Sequence, residues 1–298
     1  MKLLVTRALT PMVEQRLIGE FEATFRNGAA PLTEAEAQEA LNTYDALLVT
    51  LGDRVTAGAF AGTPRARIVA NFGVGYNHID VVAAHAQGIV VTNTPGAVTD
   101  ATADIALTLI LASARHAVAG DRFVRSGAWT GWTPTQFLGQ HVTGKTVGII
   151  GFGRIGKAIA RRCHYGFDMR VQFHNRSVVA QPGLPATQVS MEELLATSDF
   201  VVVAVPASPA TYHLIGPGQF AQMQPHAHFI NIARGDIVDE TALIAALQAR
   251  QIAGAGLDVY EHEPMVPEAL RAMETVTLLP HLGTAAAEVR DAMGLMAV

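Results

Sequence analysis

The residues best suited to chemistry begin with three glycines. In GIIGFGRIGKAIARR (148–162), Gly151, Gly153 and Gly156 stand in GxGxxG spacing, directly after an apolar run and at the start of a helical pattern. The first glycine permits a tight turn, the second lets backbone approach a pyrophosphate, and the third lets helix and strand pack closely. The helix N-terminus then offers N–H groups to the anion. An isolated GxGxxG reads equally as an ordinary glycine turn. A strand before it, a helix after it and a second strand beyond together predict a dinucleotide site.

The end of that second strand bears on which dinucleotide. An acid there accepts hydrogen bonds from the ribose hydroxyls of NAD, whereas an arginine accommodates a 2′-phosphate. VQFHNRS (171–177) ends in Asn175, Arg176 and Ser177, with no acid. A guanidinium can pair with a phosphate through two N–H groups and a hydroxyl can add a third contact. NADPH is the expected cofactor and NADH the second choice; the alternative for Arg176 is a solvated surface arginine.

Three further polar residues stand where strands should end. Arg234 follows FINIA, Glu263 follows LDVYEH, and His281 follows TLLP. Ligands of open α/β sheets bind at the carboxyl ends of strands, so these three can meet around one cleft. Singly, each has a plainer reading: Arg234 as a cap beside Gly235 and Asp236, Glu263 as a turn residue before Pro264, His281 as a packed histidine after Pro280.

These residues need two sheets to position them. KLLVT (2–6), DALLVT (45–50), ARIVANFG (66–73) and GIVVTN (88–93) are apolar on both faces, the pattern of buried parallel strands. Between them TPMVEQRLIGEF and LTEAEAQEALN read as helices, each with a threonine cap before an acid-rich first turn. A long helical pattern then starts near the cap Thr99, with a wide apolar face expected to lie buried between domains. The alternation restarts with KTVGIIG (145–151), RVQFHN (170–175), DFVVVAVP (199–206), AHFINIA (227–233), IAGAGLDVY (252–260) and TVTLLP (275–280). Two such series imply two α/β domains with parallel sheets, joined by helices rather than a Gly/Ser tether.

Composition narrows the class. The 298 residues are 50% hydrophobic and 16% charged, which suits a packed globular protein, and the net charge of −5 gives no general attraction to nucleic acid or an anionic membrane. Cys163 is the only cysteine, so an internal disulfide and a multi-cysteine zinc site are excluded, and no metal is expected. Arg7 and Pro11 interrupt the N-terminus before a signal-peptide core can form, and the longest apolar stretch, 105–114, is too short to span a bilayer. A cytoplasmic location is expected.

Taken in order, TPG (94–96), the GxGxxG, INIARGDIVDETAL (230–243), AGLDVYEHEP (255–264) and LLPHLGT (278–284) resemble the D-isomer-specific 2-hydroxyacid dehydrogenases, over about residue 45 to the end. The resemblance implies two Rossmann-like doubly wound domains with a cleft between them. One is a flavodoxin-like substrate-binding domain, 1–98 plus 284–298, and the other a dinucleotide-binding domain, 99–283. It places the family's catalytic Arg, Glu and His on Arg234, Glu263 and His281, and makes 71–80 the substrate loop, with backbone at Val74 and Gly75 holding a carboxylate. Cofactor contacts are implied at Thr102, Arg154, Ile155, Val205, Pro206, Thr211, Ile232, Ala233, Asp258 and His281, with Asp258 on the nicotinamide carboxamide and Thr284 beside His281.

The chemistry of these residue types agrees with such roles. The rigid fork of Arg234 can bind both the carboxylate and the ketone of a 2-oxo acid. As hydride arrives, charge develops on the ketone oxygen, and a protonated His281 can donate to it. A carboxylate at Glu263 would stabilise the imidazolium and fix the ring. The span 126–156 together with HNRS looks most like the NADPH-dependent glyoxylate and hydroxypyruvate reductases; the alternatives are a 2-ketogluconate-type reductase and a dinucleotide-sensing corepressor-like protein. Formate dehydrogenases, with glutamine where Glu263 stands, and phosphite dehydrogenases, with lysine where Val74 stands, are set aside. A homodimer through the nucleotide-binding domain is expected, with Trp129 and Trp132 as anchors. The chain ends at Val298 within a helical pattern, where the family continues with a helix returning to the first domain.

Overall fold

Most runs that are apolar on both faces become strands covered on both faces; GIVVTN, expected to be buried, is instead an edge strand with Val90 54% exposed. The computed structural model describes residues 1–28 and 30–298. The chain divides into one unit of Met1–Val98 with Thr284–Val298 and another of Thr99–Gly283.

The first unit is built on five parallel strands: β1 (Lys2–Val5), β2 (Glu22–Phe25), β3 (Ala46–Thr50), β4 (Ile68–Phe72) and β5 (Val90–Thr92), in the order β2-β1-β3-β4-β5. Central β3 is buried along its whole length, as its unbroken apolar run requires. Edge strand β2 has no unbroken apolar run, because EATF is short and only half-covered. Helices cover the sheet at Pro11–Glu20, Glu34–Thr43, Val81–Ala86 and Ala287–Ala297.

Thr33 caps its helix through a reciprocal pair, accepting from the Glu36 N–H while the Glu36 carboxylate accepts from the Thr33 N–H at 2.8 Å. Thr10 corrects the matching expectation. Its side chain makes no cap bond, Pro11 fills the first helical turn, and the Glu14 carboxylate instead takes the Leu9 N–H at 2.8 Å.

The second unit holds seven parallel strands: β6 (Thr146–Ile150), β7 (Arg170–His174), β8 (Thr187–Gln188), β9 (Phe200–Val203), β10 (His228–Asn231), β11 (Gly254–Leu257) and β12 (Val276–Leu278). Their order is β12-β11-β10-β9-β6-β7-β8. Successive residues of a strand enter opposite cores: Ile149 and Val202 pack with Leu109, Ile110 and Phe173, while Ile150 and Val203 pack with Phe220, Phe229 and Leu243. The chain leaves β6 toward β7 on one side and returns to β9 on the other, which sets the switch point at the carboxyl ends of β6 and β9.

The long helical pattern is two helices, Thr99–Ala114 and Ala117–Arg125, bent by 66°. His116 is left-handed at φ 51°, and the Gln140 N–H takes the Ala114 carbonyl at 2.7 Å, a bond that a continuing helix would have made itself. The first helix buries Ala103, Ala106, Leu109 and Ile110, whereas the second buries no residue. Among the described residues no single helix is long and apolar enough to cross a membrane.

Candidate active site

At the end of β6 the chain must turn and start a helix within a few residues. Gly151 takes φ 98°, and a Cβ there would stand 2.8 Å from the Ala204 backbone; one on Gly156 would stand 2.1 Å from the Gly151 carbonyl oxygen. A Cβ on Gly153, by contrast, would meet nothing within 4 Å. Gly153 is the N-cap of the helix Arg154–Phe167, and no side chain caps that end. The result is open space over backbone N–H groups at a helix N-terminus, an arrangement that fits a pyrophosphate. Arg154 is exposed and Ile155 half-buried on the first turn.

Beyond β7 the HNRS segment is folded by two amides. Asn175 accepts from the Phe152 N–H at 3.2 Å and donates to the Ser177 carbonyl at 3.0 Å, while Gln188 donates to the carbonyls of Asn175 and Ser177. This ties the loop to the glycine turn and leaves Arg176 exposed, with no hydrogen-bond or ion-pair partner among the described residues. After β9, Val205 is half-buried, Pro206 is exposed, and the Thr211 hydroxyl donates to the Pro206 carbonyl at 2.8 Å. Ile232 and Ala233 follow β10.

The three polar residues leave neighbouring strands on the same sheet edge, Arg234 after β10, Glu263 after β11 and His281 after β12. His281 Nδ1 lies 2.9 Å from Glu263 Oε2, and the Tyr260 N–H donates to Glu263 Oε1 at 3.2 Å. Burial raises Glu263, but the hydrogen bond and charge of His281, the Tyr260 N–H and the Arg234 charge outweigh it, so the carboxyl lies below its ordinary value. An ionised carboxylate only accepts, so Nδ1 carries the proton of this bond and Nε2 is the nitrogen left to face a substrate. Arg234 is half-buried; burial pulls its guanidinium down from the ordinary value against the favourable charges of Glu263 and Asp236. Its loop is locked to that of Glu263, because a Cβ on Gly235 would stand 1.8 Å from the Tyr260 carbonyl carbon.

Several positioning contacts carried no signal in the sequence. Asp258 spends both carboxylate oxygens on the turn behind His281, accepting from the Leu282 N–H at 2.6 Å and the Gly283 N–H at 2.8 Å. The same turn is held by the His281 N–H on the Asp258 carbonyl and by the buried Thr102 hydroxyl on the Gly283 carbonyl. His281 itself is left-handed at φ 57°. Burial raises the Asp258 carboxyl despite these donors. Among the described residues no group of three or more His, Cys, Asp or Glu is placed to hold a metal.

In the first unit, Val74 and Gly75 lie on the loop that follows β4. Asn71 donates to the carbonyls of Gly73 at 2.9 Å and Gly75 at 3.0 Å, and Asn93 donates to that of Val74 at 2.9 Å. The N–H groups of Val74 and Gly75 donate to no acceptor among the described residues. Thr284 opens the returning segment of this unit and accepts from the Ala286 N–H.

Comparison with known proteins shows the family and the fold. The family model for the D-isomer specific 2-hydroxyacid dehydrogenase NAD binding domain matches residues 107–283. A glyoxylate reductase of Pyrococcus furiosus is 46% identical over 298 residues, covering 98% of this chain and 88% of the relative. A solved structure of a Thermus thermophilus protein superposes with a TM-score of 0.93 at 37% identity, covering 100% of this chain and 94% of that one. The NADPH-dependent glyoxylate/hydroxypyruvate reductase of Sinorhizobium meliloti, solved with NADP and malonate, gives a TM-score of 0.88 at 36% identity, covering 99% and 91% of the two chains.

Proposed function

We propose, from the premise that this chain belongs to the D-isomer specific 2-hydroxyacid dehydrogenase family, that it reduces glyoxylate or hydroxypyruvate to the D-2-hydroxy acid with NADPH. The observation that carries the reading is the His281 and Glu263 pair at 2.9 Å, with Arg234 on the adjoining strand end. The glyoxylate reductase relatives support the substrate class.

A bound dinucleotide supplies the hydride. The turn at Gly151, Gly153, Arg154, Ile155 and Gly156 would hold its pyrophosphate, and Asn175, Arg176 and Ser177 its adenosine end. Thr102, Val205, Pro206, Thr211, Ile232, Ala233, Asp258 and His281 would make the remaining contacts. Arg234 binds the substrate through its planar fork and orients the ketone, while the N–H groups of Val74 and Gly75 receive the carboxylate. His281, protonated and held through Nδ1, donates the proton on Nε2 to the ketone oxygen as negative charge builds there. Glu263 stays ionised and fixes the ring. Hydride on carbon and proton on oxygen complete the 2-hydroxy acid.

The exposed guanidinium of Arg176, without a partner among the described residues, supports NADPH over NADH. Arg176→Ala is expected to raise the KM for NADPH about tenfold or more while the constants for NADH move less than twofold, read from initial rates at fixed glyoxylate. Equal effects on the two cofactors would remove the phosphate role. The helix Ala117–Arg125 buries no residue, and Trp129, Trp132 and Leu138 are 52%, 79% and 70% exposed. These faces support a homodimer through the second unit. Sedimentation is expected to give twice the chain mass, and a monomer at micromolar concentration would contradict it.

A further inference from the structure

We infer that Asn71 and Asn93 are the residues that set carboxylate recognition in the first unit, by aiming the N–H groups of the loop after β4; this rests on the proposed reduction of a 2-oxo acid. Neither side chain needs to touch substrate. Both act through the planarity of the peptide bond, in which the carbonyl of one residue and the N–H of the next point to opposite sides of one rigid plane.

The Gly73 carbonyl is held from two directions, by Asn71 Nδ2 at 2.9 Å and by the Thr94 N–H at 3.1 Å. That fixes the direction of the Val74 N–H. Asn93 Nδ2 holds the Val74 carbonyl at 2.9 Å, which fixes the Gly75 N–H in turn. Asn71 also reaches the Gly75 carbonyl at 3.0 Å, so one amide spans the whole turn. Three consecutive carbonyls are thus committed to side-chain donors, and the two N–H groups between them have no acceptor among the described residues.

The anchors themselves are firm. Asn71 lies on β4, is 1% exposed, and has the Gly73 N–H on its backbone carbonyl at 2.9 Å; Asn93 directly follows β5, the strand paired with β4. A loop rich in glycine would otherwise sample many peptide orientations, at a cost in binding when one must be selected. Two neighbouring strand ends therefore hold two adjacent donors ready for one anion.

The test is steady-state reduction of glyoxylate by wild type, Asn93→Ala and Asn71→Ala, each with a thermal melt. Asn93 is only half-buried, so Asn93→Ala is the deciding variant if Asn71→Ala does not fold. Asn93→Ala is expected to raise the KM for glyoxylate about tenfold, the change carried by KM rather than kcat, with the KM for NADPH unmoved. A general structural defect would instead shift both KM values or lower kcat with Tm. Wild-type turnover combined with an Asn93→Ala KM for glyoxylate within twofold of wild type overturns the positioning role and leaves the reductase reading standing. Absence of wild-type turnover with any 2-oxo acid overturns both.

Discussion

His281→Ala is expected to lower kcat/KM for glyoxylate by about a thousandfold, within the 10²–10⁴ that a positioned general acid contributes. The expectation follows from the pair at 2.9 Å: with Nδ1 bound to Glu263, Nε2 is the one proton source the ring can present to a developing alkoxide. Because His281 is left-handed at φ 57°, His281→Asn is the companion variant, since asparagine accepts that backbone more readily than alanine. Both should lose turnover alike, which separates loss of the proton donor from backbone strain. The wild-type acid limb checks the partner. Glu263 is held below its ordinary value, so whatever stability the pair adds is present above the unfolded carboxylate value near pH ~4.3 and is lost as pH falls through the folded one. The contribution of this pair, read on the acid limb of activity from pH 7 downward, should therefore hold until below that point. Near-normal turnover in His281→Asn would remove the proton-donor role.

Arg234→Ala should be nearly as damaging, with kcat/KM down by about two to three orders of magnitude and most of the loss in KM. A half-buried guanidinium gives charge-assisted hydrogen bonds to a carboxylate and a ketone at once, and its removal leaves His281 as the remaining favourable charge beside Glu263. Arg234→Lys keeps the charge but not the two-pronged geometry, and should recover only part of the loss. Full recovery by lysine would show that charge alone matters and that the fork does not orient the substrate.

The sequence predicts the buried strands well because both their faces are covered, so KLLVT or DFVVVAVP reads as an unbroken apolar run. Two edge strands, β2 and β8, carried no such signal: EATF is half-exposed and β8 has two residues. The break at His116 was illegible for a different reason. No Gly or Pro marks it, and the bond that ends the helix comes from Gln140 in a later segment. The same distinction runs through the candidate site. Gly151, Arg234, Glu263 and His281 announce themselves by type and position at strand ends. The contacts that order the loops, Asp258 on the Leu282 and Gly283 N–H groups behind His281 or, in the first unit, Asn93 on the Val74 carbonyl, join segments about twenty residues apart and depend on which strands lie side by side. One-dimensional spacing does not contain that information.

The most direct measurement is the initial rate of NADPH oxidation when glyoxylate is added to the wild-type protein, with hydroxypyruvate and NADH as parallel arms. The Arg234, Glu263 and His281 arrangement predicts saturable turnover at roughly 1–10³ s⁻¹, the ordinary enzymatic range, with NADPH preferred. Turnover with NADH alone would contradict the part given to Arg176. No turnover with either acid and either cofactor would contradict the reduction of a small 2-oxo acid at this site.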